Sequence, residues 1–144
     1  MATEHLVKLC VTLRPTGQPW VKITVNGITE TQQLTDIKDF IFEFTAIDSS
    51  SLIIEHYNKD DADPDTTVEI VSVSFFGIQD PKFIWEGTYT PVYPEPWASE
   101  QLTPLPVKIT KQTCLGWNGT WKLDFSVPVF TWIHRVQNLG WLYQ

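Results

Sequence analysis

Cysteine, basic residues and long apolar runs are all scarce in this chain of 144 residues. Its two cysteines, Cys10 and Cys114, have no CxxC spacing and no histidine partner nearby, which excludes zinc ribbons and dithiol redox motifs; we expect both to pack as small hydrophobic residues. The 10 lysines and arginines form no cluster against 17 acidic residues, so no nucleic-acid partner is expected. The apolar runs, such as Val71 to Ile78, are strand-length, so no membrane insertion is expected.

Catalytic motifs and a targeting signal are missing as well. There is no GxSxG, no HExxH and no phosphate-binding glycine loop, and the three histidines form no metal-spaced pair. His56 alternates with Leu52 and Ile54, which predicts a core or interface histidine rather than a base. The N-terminus has no basic start followed by an apolar stretch, so no signal peptide is expected. We therefore predict a protein that is not an enzyme.

The first half of the chain has the pattern of short antiparallel strands. Apolar residues alternate with polar ones up to Asn26-Gly27, a dipeptide typical of a tight hairpin turn. Phe40, Phe42 and Phe44 recur at every second position, which places three rings on one buried face of a strand. Between Thr67 and Phe76 the apolar phase shifts, which predicts a β-bulge near Ile70 or burial on both faces.

The second half is rich in proline and aromatic residues. Prolines at positions 81, 91, 94, 96, 104 and 106 accompany several tryptophans and tyrosines, so Gln79 to Pro106 is predicted to be a largely extended arm or loop. Such an arm either wraps its own sandwich or docks on a neighbouring subunit. Strands are predicted again at 107–111, 121–127 and 129–134, and little helix is expected. The fold class is thus an all-β antiparallel sandwich with a proline- and aromatic-rich C-terminal extension.

An acidic segment lies between two predicted strands. Asp60, Asp61, Asp63 and Asp65 fall within six positions, a density of oxygen ligands that suits a hard cation such as calcium. The spacing is not that of an EF-hand, because the sixth position from Asp61 is Thr66 rather than glycine. The alternative is a solvated acidic turn shaped by a proline.

These elements together resemble the calcium-dependent, xylan-binding type of carbohydrate-binding module. The stretches that carry the resemblance are PWVKITVNG, FIFEFTA and LIIEHYNKDDADPDTTVEIVSVSFFG, within roughly residues 6–78. The resemblance implies a jelly-roll-like sandwich that holds calcium at a loop and uses it to bind sugar hydroxyls. Asn58 and Asp65 match motif positions, whereas Lys59 replaces an acidic residue and Thr67 replaces an asparagine. The predicted metal ligands are Asn58, Asp60, Asp61, Asp63 and Asp65.

Exposed aromatic rings are the other candidate site residues. A tryptophan or tyrosine serves either as a stacking platform for a sugar or as an anchor of a protein interface. Trp121 is in phase with Leu123 and Phe125 and is predicted to lie in the core. For Trp85, Trp97 and Trp141 an interface is favoured. The predicted ligand or interface aromatics are Tyr57, Trp85, Tyr89, Tyr93, Trp97 and Trp141.

The combination of this module-like half with the C-terminal motifs SVSFFGIQDPKFIWEGTYTPVYPEPWASEQ, LGWNGTWKL and VFTWIHRVQNLGWLY resembles small proteins encoded by cyanophages. The resemblance implies a virion protein, made in the host cytoplasm, that contacts other virion proteins or a second copy of itself. We predict a module in residues 1–78 and an arm plus completing strands of the same domain in residues 79–144. The functional hypothesis is a fibre, appendage or decoration subunit that binds host-surface polysaccharide with calcium. The alternative is a purely structural assembly subunit that has lost both ligands.

Overall fold

The computed structural model describes residues 4–59, 66–93, 98–103, 105–110 and 113–136. These residues form eleven strands, a 3₁₀ turn at Ala98–Glu100 and two short helices, α1 (Pro81–Trp85) and α2 (Val129–Val136). No helix within these ranges has the length and apolar character needed to cross a membrane. The strands are β1 (His5–Thr16), β2 (Trp20–Val25), β3 (Ile28–Gln33), β4 (Lys38–Ala46), β5 (Ser49–Tyr57), β6 (Thr67–Phe75), β7 (Ile78–Gln79), β8 (Thr88–Pro91), β9 (Ile109–Thr110), β10 (Cys114–Leu115) and β11 (Gly119–Ser126).

The strands form two antiparallel sheets, as the sequence predicts. One sheet has the order β10-β6-β1-β4, with β7 paired to β6, and the other has the order β3-β2-β5-β11-β8-β9. Alternate residues of both sheets form a single apolar core. β11, from the C-terminal part of the chain, lies between β5 and β8 and is a central strand of the second sheet.

Three local predictions in the first half are confirmed. β2 and β3 form a hairpin in which Val25 pairs with Ile28 across Asn26-Gly27, and both turn residues have positive φ, 49° and 81°. The phenylalanines of β4 are buried and the residues between them are exposed. The register of β6 against β1 shifts at Val71, next to the predicted position, because Thr12 pairs with Ser72 and the next residue of β1 pairs with Ile70.

The prediction of an extended arm from Gln79 to Pro106 is wrong for its first part. Asp80 accepts a hydrogen bond from Lys82 N–H at 2.9 Å and caps α1, in which Pro81 occupies the first turn. β8 follows and pairs with β11, with Pro91 as its last residue. Proline is compatible with these positions, since neither the first helical turn nor a strand end requires its missing N–H.

The prediction of a strand at 129–134 is also wrong, because these residues form α2. Val129, Trp132, Ile133 and Val136 are buried, and their spacing is that of one helical face. Only about two turns are present, and a run this short fits helix and strand patterns equally well. β9 is shorter than the strand predicted at 107–111.

The two cysteines occupy different environments. Within the described residues no disulfide joins Cys10 and Cys114. Cys10 is partly buried on β1, and burial raises the pKa of its thiol. Cys114 is exposed in β10, a two-residue strand at the edge of its sheet, so the prediction that both cysteines pack as small hydrophobic residues is wrong for Cys114.

Candidate functional site

One end of the sandwich gathers the segments that the sequence singles out; we call it the loop end. There β1 ends opposite the start of β6, with Thr16 paired to Thr67, and β2 starts opposite the end of β5, with Trp20 paired to Tyr57. β11 begins beside the same end of β5, and β8 ends beside the start of β11. The acidic segment between β5 and β6 therefore leaves and re-enters the sandwich at the loop end.

The first residues of the acidic segment are held by the loop that precedes β11. Lys59 N–H donates to Asn118 Oδ1 at 2.9 Å, and Asn118 Nδ2 donates back to the Lys59 carbonyl at 3.1 Å. Lys59 Nζ donates to the carbonyl of Gly116, and Val92 N–H donates to the Asn118 carbonyl at 2.6 Å. These bonds attach the backbone just after β5 to the loop that precedes β11, and they attach that loop to the residue that follows β8.

Asn58 is the one predicted metal ligand within the described residues. It is exposed and has a left-handed backbone with φ 58°, a conformation that asparagine tolerates better than most residues. Its neighbour Lys59, which replaces an acidic motif residue, directs its ammonium to the Gly116 carbonyl. Asp60, Asp61, Asp63 and Asp65 lie outside the described residues, and the remainder of the described chain brings no three His, Cys, Asp or Glu side chains together.

A cross-strand aromatic pair lies beside the root of the acidic segment. Trp20 and Tyr57 have ring centroids 6.2 Å apart and planes inclined by 46°, and both rings are partly exposed. They lie on the outer face of the second sheet, because their strand neighbours Val21 and His56 are fully buried. Tyr57 is a predicted site residue. Trp20 is not, although its position out of phase with the buried residues of β2 was a readable signal.

Tyr93 and Trp117 form a second aromatic pair at the loop end. The rings of Tyr93 and Trp117 meet edge to face at 4.9 Å, and Tyr93 Oη donates to the Pro106 carbonyl at 2.6 Å. Tyr93 is thus a partly buried part of this end, as is Trp117, which the sequence prediction omits. The prediction for Tyr89 as a ligand or interface residue is wrong, because its ring is fully buried.

Tyr89 instead braces the loop that precedes β11. Its hydroxyl accepts a hydrogen bond from Trp117 N–H at 3.1 Å and donates to the Trp117 carbonyl. Burial raises the pKa of Tyr89, so the phenol is neutral and able to make both bonds at physiological pH. Tyr89 alternates with the exposed Thr90 and points between the sheets, which the proline-rich context obscured.

Trp85 lies away from this group. It ends α1, which follows β7, and β7 pairs with the end of β6 that is remote from Thr67. Its side chain is 46% exposed. The two remaining predicted aromatics, Trp97 and Trp141, lie outside the described residues.

His56 is an interior histidine, as its alternation predicts. It is fully buried, and Nδ1–H donates to the Leu115 carbonyl at 3.0 Å, so the ring links β5 to β10, just before the loop that holds Lys59. Burial lowers the pKa of His56 and outweighs the opposing effect of this hydrogen bond. His56 is therefore a neutral structural residue at neutral pH.

Comparisons with known proteins identify the fold. No family model matches the chain, and no curated protein matches it. The solved structure of vCBM60 in complex with galactobiose matches with a TM-score of 0.55 and 20% identity over 81% of this chain and 96% of that one. The selenomethionine form of vCBM60, reported with an evolutionary link between two families of calcium-dependent carbohydrate-binding modules, matches with a TM-score of 0.53 and 18% identity over 84% of this chain and 90% of that one.

The chain has a carbohydrate-binding-module fold. A match over 81% of the chain exceeds the first 78 of its 144 residues, so the likeness extends beyond Ile78, where the resemblance in sequence ends. The position of β11 in the middle of the second sheet gives the reason, since C-terminal strands are needed to complete the sandwich.

Proposed function

We propose that this protein is a non-catalytic carbohydrate-binding module whose sugar site is the loop end. The observation that carries the proposal is the partly exposed Trp20–Tyr57 pair beside the root of the acidic segment. An aromatic face packs against the C–H groups of a pyranose and excludes water from the polar contacts around it. The fold that the chain shares with vCBM60, a sugar-binding protein, supports this interpretation.

Polar side chains flank the aromatic pair on the same face. Gln33 pairs with Trp20 on β3, and Lys22 pairs with Glu55 in the adjacent row. Amide, ammonium and carboxylate groups are the donors and acceptors that sugar hydroxyls require. With a net charge of −7 the protein repels acidic glycans, so we propose a neutral polysaccharide as its ligand. The sequence resemblance favours a xylan-like chain, and vCBM60 binds galactobiose.

Calcium is the proposed cofactor. Asn58 offers an exposed amide oxygen at the root of a segment with four carboxylates, a donor set of the hard oxygen type that calcium takes. The residues that would hold the ion are Asn58, Asp60, Asp61, Asp63 and Asp65. Bound calcium would supply direct ligation of sugar hydroxyls and would neutralise the carboxylates. The hydrogen bonds between Lys59 and Asn118 fix the backbone just before the four aspartates, two residues after Tyr57.

We further propose that the module acts in a phage particle, as an appendage or decoration subunit that attaches to host-surface glycan. This part of the proposal rests on the resemblance of the combined halves to cyanophage proteins. The second candidate is a structural assembly subunit without a ligand. It is favoured by the two departures from the family motif, Lys59 and Thr67, and by the use of the Lys59 ammonium in a structural bond.

Replacement of Trp20 tests the site. Trp20→Ala should weaken binding of the parent's best polysaccharide by about 10- to 100-fold, which corresponds to about 1.4–2.8 kcal/mol for the lost ring stacking and buried apolar area. Affinity electrophoresis in millimolar calcium measures the change. The control is Trp85→Ala, which removes a more exposed indole remote from the loop end and should leave binding intact. Equal binding by parent and Trp20→Ala would remove the aromatic pair from the site.

A further inference from the structure

One edge strand of the first sheet, β4, is nine residues long. β4 pairs with β1 on one side, and no described strand pairs with its other side. Long exposed edges offer unpaired N–H and C=O groups to another strand, and proteins commonly limit this with charges, bulges or short edges. β4 has two charged side chains, Asp39 and Glu43, on the face that points away from the core. It is nevertheless long, and its register against β1 has no shift.

Hydrogen bonds to β1 determine which backbone groups of β4 face solvent. Phe76 N–H donates to the Lys8 carbonyl at 2.9 Å, so the N–H and C=O groups of Lys8 point toward β6. Successive residues of a strand direct these groups to alternate sides, so those of Leu9 point toward β4. Leu9 pairs with Phe42, whose backbone groups are therefore used within the sheet. Backbone groups of the odd-numbered residues of β4 point outward. They belong to Asp39, Ile41, Glu43 and Thr45, and among them the Thr45 carbonyl already accepts a hydrogen bond from Asn26 Nδ2 at 3.1 Å.

The side chains along this edge are unusually apolar. Ile41, at the middle of the strand, is 73% exposed, and Ile37 and Ile47, just beyond its two ends, are 48% and 46% exposed. Exposed isoleucines along one strand indicate a surface that loses water on pairing. β3, one edge strand of the other sheet, instead carries threonine, glutamate and glutamine in its interior.

We propose that β4 pairs antiparallel with β4 of a second copy, about a two-fold axis at Phe42. In this register Phe42 faces its own copy, Phe40 faces Phe44 and Ile37 faces Ile47. The two outward acidic residues avoid each other. Glu43 lies opposite Ile41, and Asp39 lies opposite Thr45, a hydroxyl partner.

The neighbouring register, centred on Ile41, is less favourable. It places Asp39 opposite Glu43 twice, and like charges directly across a strand pair are destabilising. Charge thus favours the register at Phe42 over its two neighbours, centred on Ile41 and on Glu43, because in the latter Glu43 faces its own copy. A single strand pair buries less area than a standard interface of about 1,600 Å², so we expect a Kd on the order of 100 μM.

The dimer has a defined geometry. Lys38, the first residue of β4, pairs with Leu13 near the loop end, and Ala46 pairs with His5 at the opposite end. Antiparallel pairing therefore points the two loop ends in opposite directions. If the proposed function holds, one dimer binds glycans on two facing surfaces rather than two sites on one surface. The pairing itself does not depend on sugar binding.

Substitutions at Ile41 test the seam and its register. In the Phe42-centred dimer, position 41 of each copy lies opposite Glu43 of the other. Ile41→Glu therefore creates two like-charge pairs and should raise the Kd about tenfold. Ile41→Lys creates two opposite-charge pairs and should keep or lower the Kd. In the Ile41-centred register both variants place like charges opposite each other and weaken the dimer. Sedimentation equilibrium at physiological salt, over concentrations on both sides of the expected Kd, measures the Kd.

A backbone variant separates pairing from side-chain effects. Ile41→Pro deletes an outward N–H without loss of a bond to β1 and should abolish dimerisation while far-UV circular dichroism shows a folded sandwich. Its control is Thr31→Pro in the edge strand β3. Because Val25 and Ile28 close the two-residue hairpin, the N–H of Thr31 points away from β2 and no bond within the sheet is lost. Dimerisation should persist in this variant. A parent that stays monomeric throughout, or a dimer that is insensitive to Ile41→Pro and to Ile41→Glu, would overturn the proposal.

Discussion

Phe75→Ala is expected to destabilise the fold by about 3–5 kcal/mol, the range for loss of a buried aromatic side chain. Phe75, at the end of β6, is fully buried, and its ring lies 5.0 Å from Phe125, 5.3 Å from Trp132 and 5.8 Å from Phe83, measured between centroids. The three partners come from β11, α2 and α1. Phe75 therefore joins the first sheet to three elements from the C-terminal half of the chain.

Equilibrium urea unfolding measures this free energy, with Phe130→Ala as the control. Phe130 is 54% exposed and stacks on Phe76 at 5.0 Å, so its removal should cost no more than about 1 kcal/mol. If Phe75→Ala unfolds at the same urea concentration as the parent, the cluster does not hold the two halves together.

Gly87→Ala is the second substitution that we expect to lower the free energy of unfolding strongly. A Cβ on Gly87 would lie 2.2 Å from two carbons of the Trp121 indole, and that indole is fully buried between the sheets. Neither the ring nor the start of β8 has space to move, so we expect a loss of about 3 kcal/mol or more in the free energy of unfolding. The small residue is required here by close approach rather than by backbone conformation.

Two other glycines serve as controls in the same unfolding experiment. At Gly116 a Cβ meets nothing within 4 Å, so Gly116→Ala should be nearly neutral. At Gly77 a Cβ is also unobstructed, but φ is 80°, and the strain of that backbone should cost about 1 kcal/mol. Gly87→Ala as stable as Gly116→Ala would mean that Trp121 packs elsewhere.

Much of the first half of the fold could be predicted from local sequence because its signals act over a few residues. Asn26-Gly27 specifies a turn by the sterics of positive φ, and Phe40, Phe42 and Phe44 specify a buried face by period-two alternation. The shift at Val71 was visible as a change of phase. Each of these features is determined within one strand or hairpin.

The second half could be predicted less well, because prolines were interpreted as breaks in structure. Pro81 starts a helix behind the cap of Asp80, and Pro91 ends a strand, two positions that accept proline. The Asp-Pro pair was itself a helix-start signal. For α2, two turns of helix around Trp132 and Ile133 gave too short a pattern to separate from a strand.

Local sequence indicated the residues of the proposed site that lie in one segment, but not those that meet through pairing between strands. Tyr57 and Asn58 were predicted because they adjoin the acidic run. Trp20 was missed because it meets Tyr57 only through the register of β2 against β5, and Asn118 was missed because its bonds to Lys59 join residues 59 positions apart. Such contacts are set by tertiary structure, which a local pattern does not contain.

Calcium-dependent retention on polysaccharide tests the central claim most directly. Affinity electrophoresis of the full chain against soluble neutral polysaccharides, xylan and galactan among them, is run once with millimolar calcium and once with a chelator. The proposed function predicts retardation by at least one polysaccharide in calcium and its loss in the chelator, since the proposed ion would both ligate the sugar and neutralise the acidic segment. Unretarded migration through every polysaccharide in calcium would contradict the account and favour a structural subunit.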